Sequence, residues 1–297
     1  VMAYGLAGRL SFNPLADALP GPGGPWKLRP PKKAPEIPER GFILSRAGFV
    51  PPPDDAGGIE LRVERSSERL QLLQAFDPMG DADFVDLPLL LKTKGKTTTD
   101  HISPAGFWLR FRGHLDRISD NMFTGAVNAF TGERGKTINL LPGERGAVVP
   151  AVARAYKAAG RKWGVVGDEN YGEGSSREHA AMSPRYLGCA AIIARSFARI
   201  HESNLKKQGV LPLSFAHPAD YDKVREADRI TLSNLSDLAP GVPVSIILRH
   251  GDGAVDTVTL KHTLNNEQIA WFRAGSALNL LRRQEGAVSD PAAPPPA

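Results

Sequence analysis

The sequence predicts an α/β fold with an added β-rich layer, and three observations carry that reading. Short, wholly apolar runs at Trp163 to Gly167 and Ala190 to Ala194 have the length and composition of strands buried on both faces. They alternate with helix-forming stretches that end at glycines, Gly160 after Val149 to Ala159 and Gly209 after Arg199 to Gln208. A close succession of strand-like segments follows at Arg229–Leu232, Val244–His250 and Val255–His262, the last two joined across Gly251-Asp252-Gly253 as a hairpin.

In chain order, Val1 to Leu10 reads as the end of a helix. From Pro20 to Gly57 prolines and glycines are too frequent for a packed core, so this stretch reads as a linker or wrapping arm. Ser67 to Leu73 is expected as a short helix or an extended segment, and Phe84 to Lys94 as the strand that begins the regular part. Lys96 to Pro104 is a polar loop, Val210–Phe215 a further strand, and Asn265 to Arg283 a helix broken near Gly275. Asp290 to Ala297 is low-complexity and expected to be disordered.

Composition narrows the function classes. With 41% hydrophobic residues and no apolar run near the ~18 residues of a spanning helix, no membrane segment or secretory leader is expected. The abrupt start at Val1-Met2-Ala3-Tyr4 is what a piece of something longer would show. A net charge of +5 favours anionic partners, and because Lys and Arg are dispersed, small polycarboxylates fit as well as nucleic acid does. The single cysteine, Cys189, excludes an internal disulfide and any iron–sulfur site built from this chain alone; it sits in an apolar run and reads as a small buried hydrophobe. None of the seven histidines has zinc-type spacing, and His179 and His201 are expected to satisfy core hydrogen bonds.

The stretch richest in chemistry is Asp168 to Ala181, with the run Gly172-Glu173-Gly174-Ser175-Ser176-Arg177-Glu178 between a strand and a helix. Two glycines permit a tight turn and the paired serines are expected to open the helix, so N–H groups, hydroxyls and a guanidinium converge where an anion is favoured. Ser175-x-x-Glu178 also has the form of a capping box, whose only task is to satisfy orphan helix donors.

That run, with Lys94 to Ser103 (KGKTTTDHIS), Phe107 to Leu115, Ser196 to His201, Asn204 to Gly209 and Trp271 to Asn279, resembles the C-terminal part of aconitase, mitochondrial type, six blocks in one order. Isopropylmalate dehydratase small subunits share the Gly-Ser-Ser-Arg turn, but the Trp108-to-Leu115 block favours aconitase. The resemblance implies a swivelling β/β/α domain at 84–285, after a remnant of the preceding domain at 1–40 and an interdomain linker at 41–83, with a disordered tail at 286–297. It implies an iron–sulfur hydro-lyase interconverting citrate and isocitrate through cis-aconitate, with a [4Fe–4S] cluster whose ligands are not on this chain. A cluster-bearing N-terminal aconitase region is then the implied partner and the mitochondrion the implied location; neither membrane nor nucleic acid is an expected partner.

Carried over residue by residue, the resemblance assigns the catalytic base to Ser175 and carboxylate contacts to Ser176, Arg177 and Arg112, with Asp100 as a further active-site carboxylate. Arg suits that role because its planar fork grips a carboxylate at two points. Read without the family, Arg112 is one of several neighbouring charges and could be solvated. Departures from the mitochondrial pattern are Phe107 for a usual proline, Cys189 for a usual glycine, an altered Asn128–Val148 segment and the proline-heavy linker. They leave open a homocitrate/homoaconitate hydratase paralogue, or a cluster-less descendant binding tricarboxylates or protein without catalysis.

Overall fold

The structure is a computed structural model; it describes residues 1–288 except 34, 36, 38–40, 43, 44, 46 and 53–59. The expected tail therefore lies outside the described residues from 289 onward, as does part of the expected linker. The chain divides into two compact units, Val1–Glu60 and Leu61–Ala297. In the first, helix Met2–Ala7 ends at Gly8 in the left-handed region, and Ala18–Leu19 pairs antiparallel with Trp26–Lys27.

The second unit is built on a closed seven-stranded barrel of β1 (Leu87–Lys92), β2 (Trp163–Gly167), β3 (Cys189–Ala194), β4 (Leu211–Phe215), β5 (Arg229–Ser233), β6 (Val244–Arg249) and β7 (Val255–Lys261). Strands β1 to β4 lie parallel in chain order, and β7, β6 and β5 complete the circuit antiparallel. The apolar runs of β1 to β3 are explained by burial on both faces. Leu89, Val166 and Ile193 join Leu213, Ile230, Ile246 and Leu260 in a core to which all seven strands contribute. Leu90, Val165 and Ile192 face outward into a second core, under helices α1 (Val149–Ala158), α2 (His179–Leu187) and α3 (Arg199–Lys207). Strands β6 and β7 alternate buried with more exposed positions, as antiparallel strands covered on one side do.

Two further helices, α4 (Asn266–Ala274) and α5 (Ala277–Val288), follow the barrel. Asn265 caps α4 through a reciprocal pair with Gln268, and Gly275 ends it at φ 95°. The predicted break is therefore real. A Cβ on Gly209 would lie 2.1 Å from the Gly275 carbonyl oxygen, so the turn after α3 packs backbone against backbone. Beside that contact the buried Arg185 of α2 donates to the carbonyls of Gln208, Asp77 and Gly275. Burial lowers its pKa to about 10, which leaves it charged at neutral pH. Asn279 Nδ2 donates to Phe76 O at 2.6 Å, so the segment ahead of β1 is pinned along the helices.

Some local expectations need correction. Asp81–Phe84 is a 3₁₀ turn, and the first barrel strand is confined to Leu87–Lys92. The polar loop contains a one-turn helix, Thr99–Ile102, capped by Thr98, whose side chain accepts from His101 N. Of the two alternatives for Ser67–Leu73 only the helix fails; the segment is non-helical, and Leu70 makes an isolated bridge to Gly113.

His250, at the end of β6, ties three strands together: Nδ1 meets the buried Asp228 Oδ1 at 2.7 Å and Nε2 meets Asp256 Oδ2 at 3.0 Å. Burial alone would lower its pKa; the two carboxylate hydrogen bonds outweigh burial and the nearby Arg225, and raise it. A raised folded-state pKa means the imidazolium stabilises the fold fully below the unfolded value of about 6.5 and loses that contribution as pH rises through the folded value. Urea unfolding at pH 6 and pH 9 is therefore expected to show a fall in stability that His250→Gln does not share; equal falls in both proteins would contradict it.

Candidate active site

The carboxyl ends of β1, β2 and β3 open into three loops that hydrogen-bond to one another, the end at which parallel sheets commonly present ligand-binding groups. Asp168, just past β2, accepts from Gly95 N at 2.7 Å and from Arg195 Nη1 at 3.0 Å, tying the loops after β1 and β3 to its own. Tyr171 N donates to Ser196 O and Ala198 N to Tyr171 O, both at 2.9 Å. Gly172 N donates to Thr97 O at 2.7 Å and Thr99 N to Glu173 O at 2.8 Å.

Gly172, at φ 82°, has no room for a side chain: a Cβ there would lie 2.1 Å from the His201 ring. His201, on α3, is 1% exposed and packs on Tyr171, with ring centroids 5.5 Å apart. Burial pushes its pKa down to about 4, so it is neutral near pH 7. The expectation of a core hydrogen bond fails for His201, because neither ring nitrogen has a partner among the described residues. Its function there is to fill space under the turn. His179 does make one, Nε2 lying 3.0 Å from Arg112 O.

The structure corrects the predicted start of the helix. Helix α2 begins at His179 with Glu178 as its N-cap and no side-chain capping bond, so Ser175 and Ser176 lie ahead of the helix and form no capping box. Arg177 explains the difference. Its Nη1 donates to Asp100 Oδ1 at 2.5 Å and Ser103 O at 2.7 Å, which draws the preceding turn towards the β1 loop and away from helical geometry. Its Nη2 reaches Ser175 Oγ at 3.3 Å. The N–H groups of Gly174, Ser175 and Ser176 have no hydrogen-bond partner among the described residues, so the donors open to an anion belong to the loop.

Three of the five sequence-predicted residues, Ser175, Arg177 and Asp100, are thereby connected by hydrogen bonds, and Ser176 is joined to them only through the chain. Ser175 and Ser176 are exposed, Arg177 is partly buried, and Asp100, with its side chain 63% exposed, orients the guanidinium. Arg112 is exposed, ends the 3₁₀ turn Gly106–Phe111, and is tethered through its carbonyl to His179, two residues beyond Arg177. Its side chain has no ion pair among the described residues, which leaves its cation available. Thr99 and Ser103, which sequence reasoning left unassigned, complete the frame. Their signal was only their place beside Asp100 in a polar run.

Not every hollow here belongs to these residues. A depression of about 400 Å³ beside the turn is lined by Gly95, Lys96, Asp168, Asn170, Glu173 and Arg195, among others. Its cations are already paired, Lys96 with Glu173 and Arg195 with Asp168 and Asp222.

No set of three or more His, Cys, Asp or Glu among the described residues is placed to hold a metal ion. Cys189 is fully buried and its thiol is pushed up by desolvation, the reverse of what a metal-binding thiolate requires. The described residues therefore offer no ligand set that fits an iron–sulfur cluster.

Residues 87–218, which contain the three loops, match the family model of the aconitase C-terminal domain. This part of the chain belongs to that family. The chain is 53% identical over 283 residues to the mitochondrial aconitate hydratase of Gracilaria gracilis, covering 95% of this chain and 36% of that protein. It is 52% identical over 281 residues to the probable mitochondrial aconitate hydratase of Caenorhabditis elegans, covering 94% of this chain and 36% of that one. Among solved structures it is similar to a 3-isopropylmalate dehydratase from Methanocaldococcus jannaschii, at 21% identity and a TM-score of 0.40 over 67% of this chain and 95% of that one. The chain thus spans just over a third of the length of the aconitate hydratases it matches.

The aconitase-type turn depends on Gly172 having no Cβ. Gly172→Ala combines a left-handed φ with a collision against a ring that cannot retreat, and is expected to cost about 3 kcal/mol. Chemical denaturation measures it; a loss below about 1 kcal/mol would mean the turn tolerates a side chain there.

Proposed function

We propose that this chain is the C-terminal, swivel part of an aconitate hydratase, interconverting citrate and isocitrate through cis-aconitate together with a cluster-bearing N-terminal region. The observation that carries the reading is the geometry at Ser175: an exposed hydroxyl beside a guanidinium that Asp100 and Ser103 hold in place. A serine hydroxyl is a poor base unless its alkoxide is stabilised, and a fixed cation within hydrogen-bond reach supplies that stabilisation. Removing a proton beside a carboxylate builds negative charge, which the open N–H groups of Gly174 to Ser176 and the guanidinium of Arg177 are placed to meet. In this reading Arg112, Ser176 and Arg177 hold substrate carboxylates, Ser175 moves the proton, and Asp100 fixes the orientation of Arg177.

The ion pair of Asp100 with Arg177 is partly exposed, and such pairs contribute only about 0.2–1 kcal/mol to stability, so its value here is directional. The [4Fe–4S] cluster that the family implies is assigned to the region outside this chain, because Cys189 and its surroundings cannot hold it, and no step is routed through it here. A mitochondrial location rests on the printed names of the relatives.

The test is anaerobic hydration of cis-aconitate by the chain alone and by the chain combined with a cluster-loaded N-terminal aconitase region. The chain alone is expected to be inactive and the combination active, with Ser175→Ala lowering kcat by about 10²–10⁴-fold. Arg112→Lys, which keeps the charge and loses the fork, is expected to raise KM for citrate by about tenfold or more. Turnover by the chain alone, a Ser175→Ala variant with full activity, or a preference for homoaconitate over cis-aconitate would overturn the reading.

A further inference from the structure

We propose that Thr99 is a positioning residue that sets the height of Ser175 against Arg177, an inference that rests on the active-site reading above. Thr99 is 2% exposed and sits in the one-turn helix after β1. Its hydroxyl donates to the Ser175 carbonyl at 3.1 Å and its N–H to the Glu173 carbonyl at 2.8 Å. Among the described residues, the Thr99 hydroxyl is the only group from outside the turn that hydrogen-bonds to Ser175. The other two bonds to Ser175, from Arg177 N to its carbonyl and from Arg177 Nη2 to its Oγ, come from within the turn and move with it.

The neighbouring residue Asp100 holds the guanidinium of Arg177. Two consecutive side chains thus grip the two groups whose separation matters: Thr99 the main chain of Ser175, Asp100 the cation that must meet its hydroxyl. The connecting turn is soft. Gly174, at φ 121°, has no side chain to restrict it and no hydrogen bond of its own among the described residues, so its conformation depends on the bonds made by Glu173 before it and by Ser175 after it. Thr99 is buried and bonds to main-chain carbonyls of the turn, so its contribution belongs to geometry.

Thr99→Val keeps the shape and removes the hydroxyl; Thr99→Ser keeps the hydroxyl and removes a methyl. In the chain combined with a cluster-loaded N-terminal aconitase region, Thr99→Val is expected to lower kcat for cis-aconitate by about 10- to 100-fold with KM within about threefold, since Arg112, tethered to His179, and Arg177, held by Asp100 and Ser103, keep their places. The rising limb of its kcat–pH profile is expected to move upward as the alkoxide loses its fixed cation. Thr99→Ser is expected to restore kcat to within about threefold of wild type. Thr99→Ala provides the same comparison if Val is poorly accommodated.

A second readout needs no activity: in the full chain alone, backbone NMR order parameters of Gly174 to Ser176 are expected to fall in Thr99→Val and to recover in Thr99→Ser. Unchanged order parameters, an equal loss in Thr99→Ser and Thr99→Val, or a change confined to KM would overturn the proposal. If the order parameters respond as expected while the wild-type combination shows no turnover, the proposal for Thr99 as a clamp stands and the enzymatic reading fails.

Discussion

The candidate site depends on one constraint, the stitching of the loop after β2 to the loop after β1. Three hydrogen bonds, from Gly172 N to Thr97 O, from Thr99 N to Glu173 O and from Thr99 Oγ1 to Ser175 O, fix the path of the chain between a strand and a helix. The Arg177–Asp100 pair then sets a charge on that path. Each bond is ordinary in strength, about 1 kcal/mol net. Together they define one geometry for a glycine-rich segment that would otherwise sample many. Strands β1 and β2 are neighbours in parallel register, so both loops leave the same end of the barrel and need only a few residues to meet.

Burial explains why the frame can be stiff while its working groups stay open. The Tyr171 ring, the His201 ring and Thr99 lie beneath or beside the turn, almost fully excluded from water, and the turn rests on them through Gly172. Above them Gly174, Ser175 and Ser176 are exposed and their N–H groups have no partner among the described residues. A polar group in water retains its hydration at no cost, whereas a polar group in the floor must be paired or absent. The burial of this floor meets the second condition only at Thr99, which is paired with Ser175 O, and not at the Tyr171 hydroxyl or the two His201 ring nitrogens, which have no partner among the described residues. It also accounts for a histidine kept neutral, since a charge at His201 would face a medium with nothing to solvate it.

Arg185 performs the corresponding task at the opposite end of α2. It is a buried cation surrounded by carbonyl oxygens rather than carboxylates, and it draws the turn after α3, the end of α4 and the segment around Asp77 to one point. The expected linker therefore has an ordered part, because Phe76 and Asp77 are engaged by Asn279 and Arg185. Proline and glycine content identified residues that cannot build a core of their own. It carried no information on residues that borrow someone else's.

What the sequence determined by itself was periodicity and chemistry: the two-face apolar runs of β2 and β3, the glycine stops after α1, α3 and α4, the β6–β7 hairpin, and a turn crowded with hydroxyls and a guanidinium. These are properties of neighbouring residues, and local sterics and burial patterns suffice to read them. Tertiary structure alone decided that Ser175-x-x-Glu178 is not a capping box, that α2 starts at His179, and that His201 serves by its shape. The same is true of the closed barrel and of the role of Thr99, which lies 76 residues from Ser175 in the chain. The physical reason is common to all of them. Local preference for a helix cap is worth about 1 kcal/mol, and the bonds of the turn to Thr97, Thr99, Asp100 and Ser103, about 1 kcal/mol each, together outweigh it, so the partners that choose the conformation are not in the local sequence window.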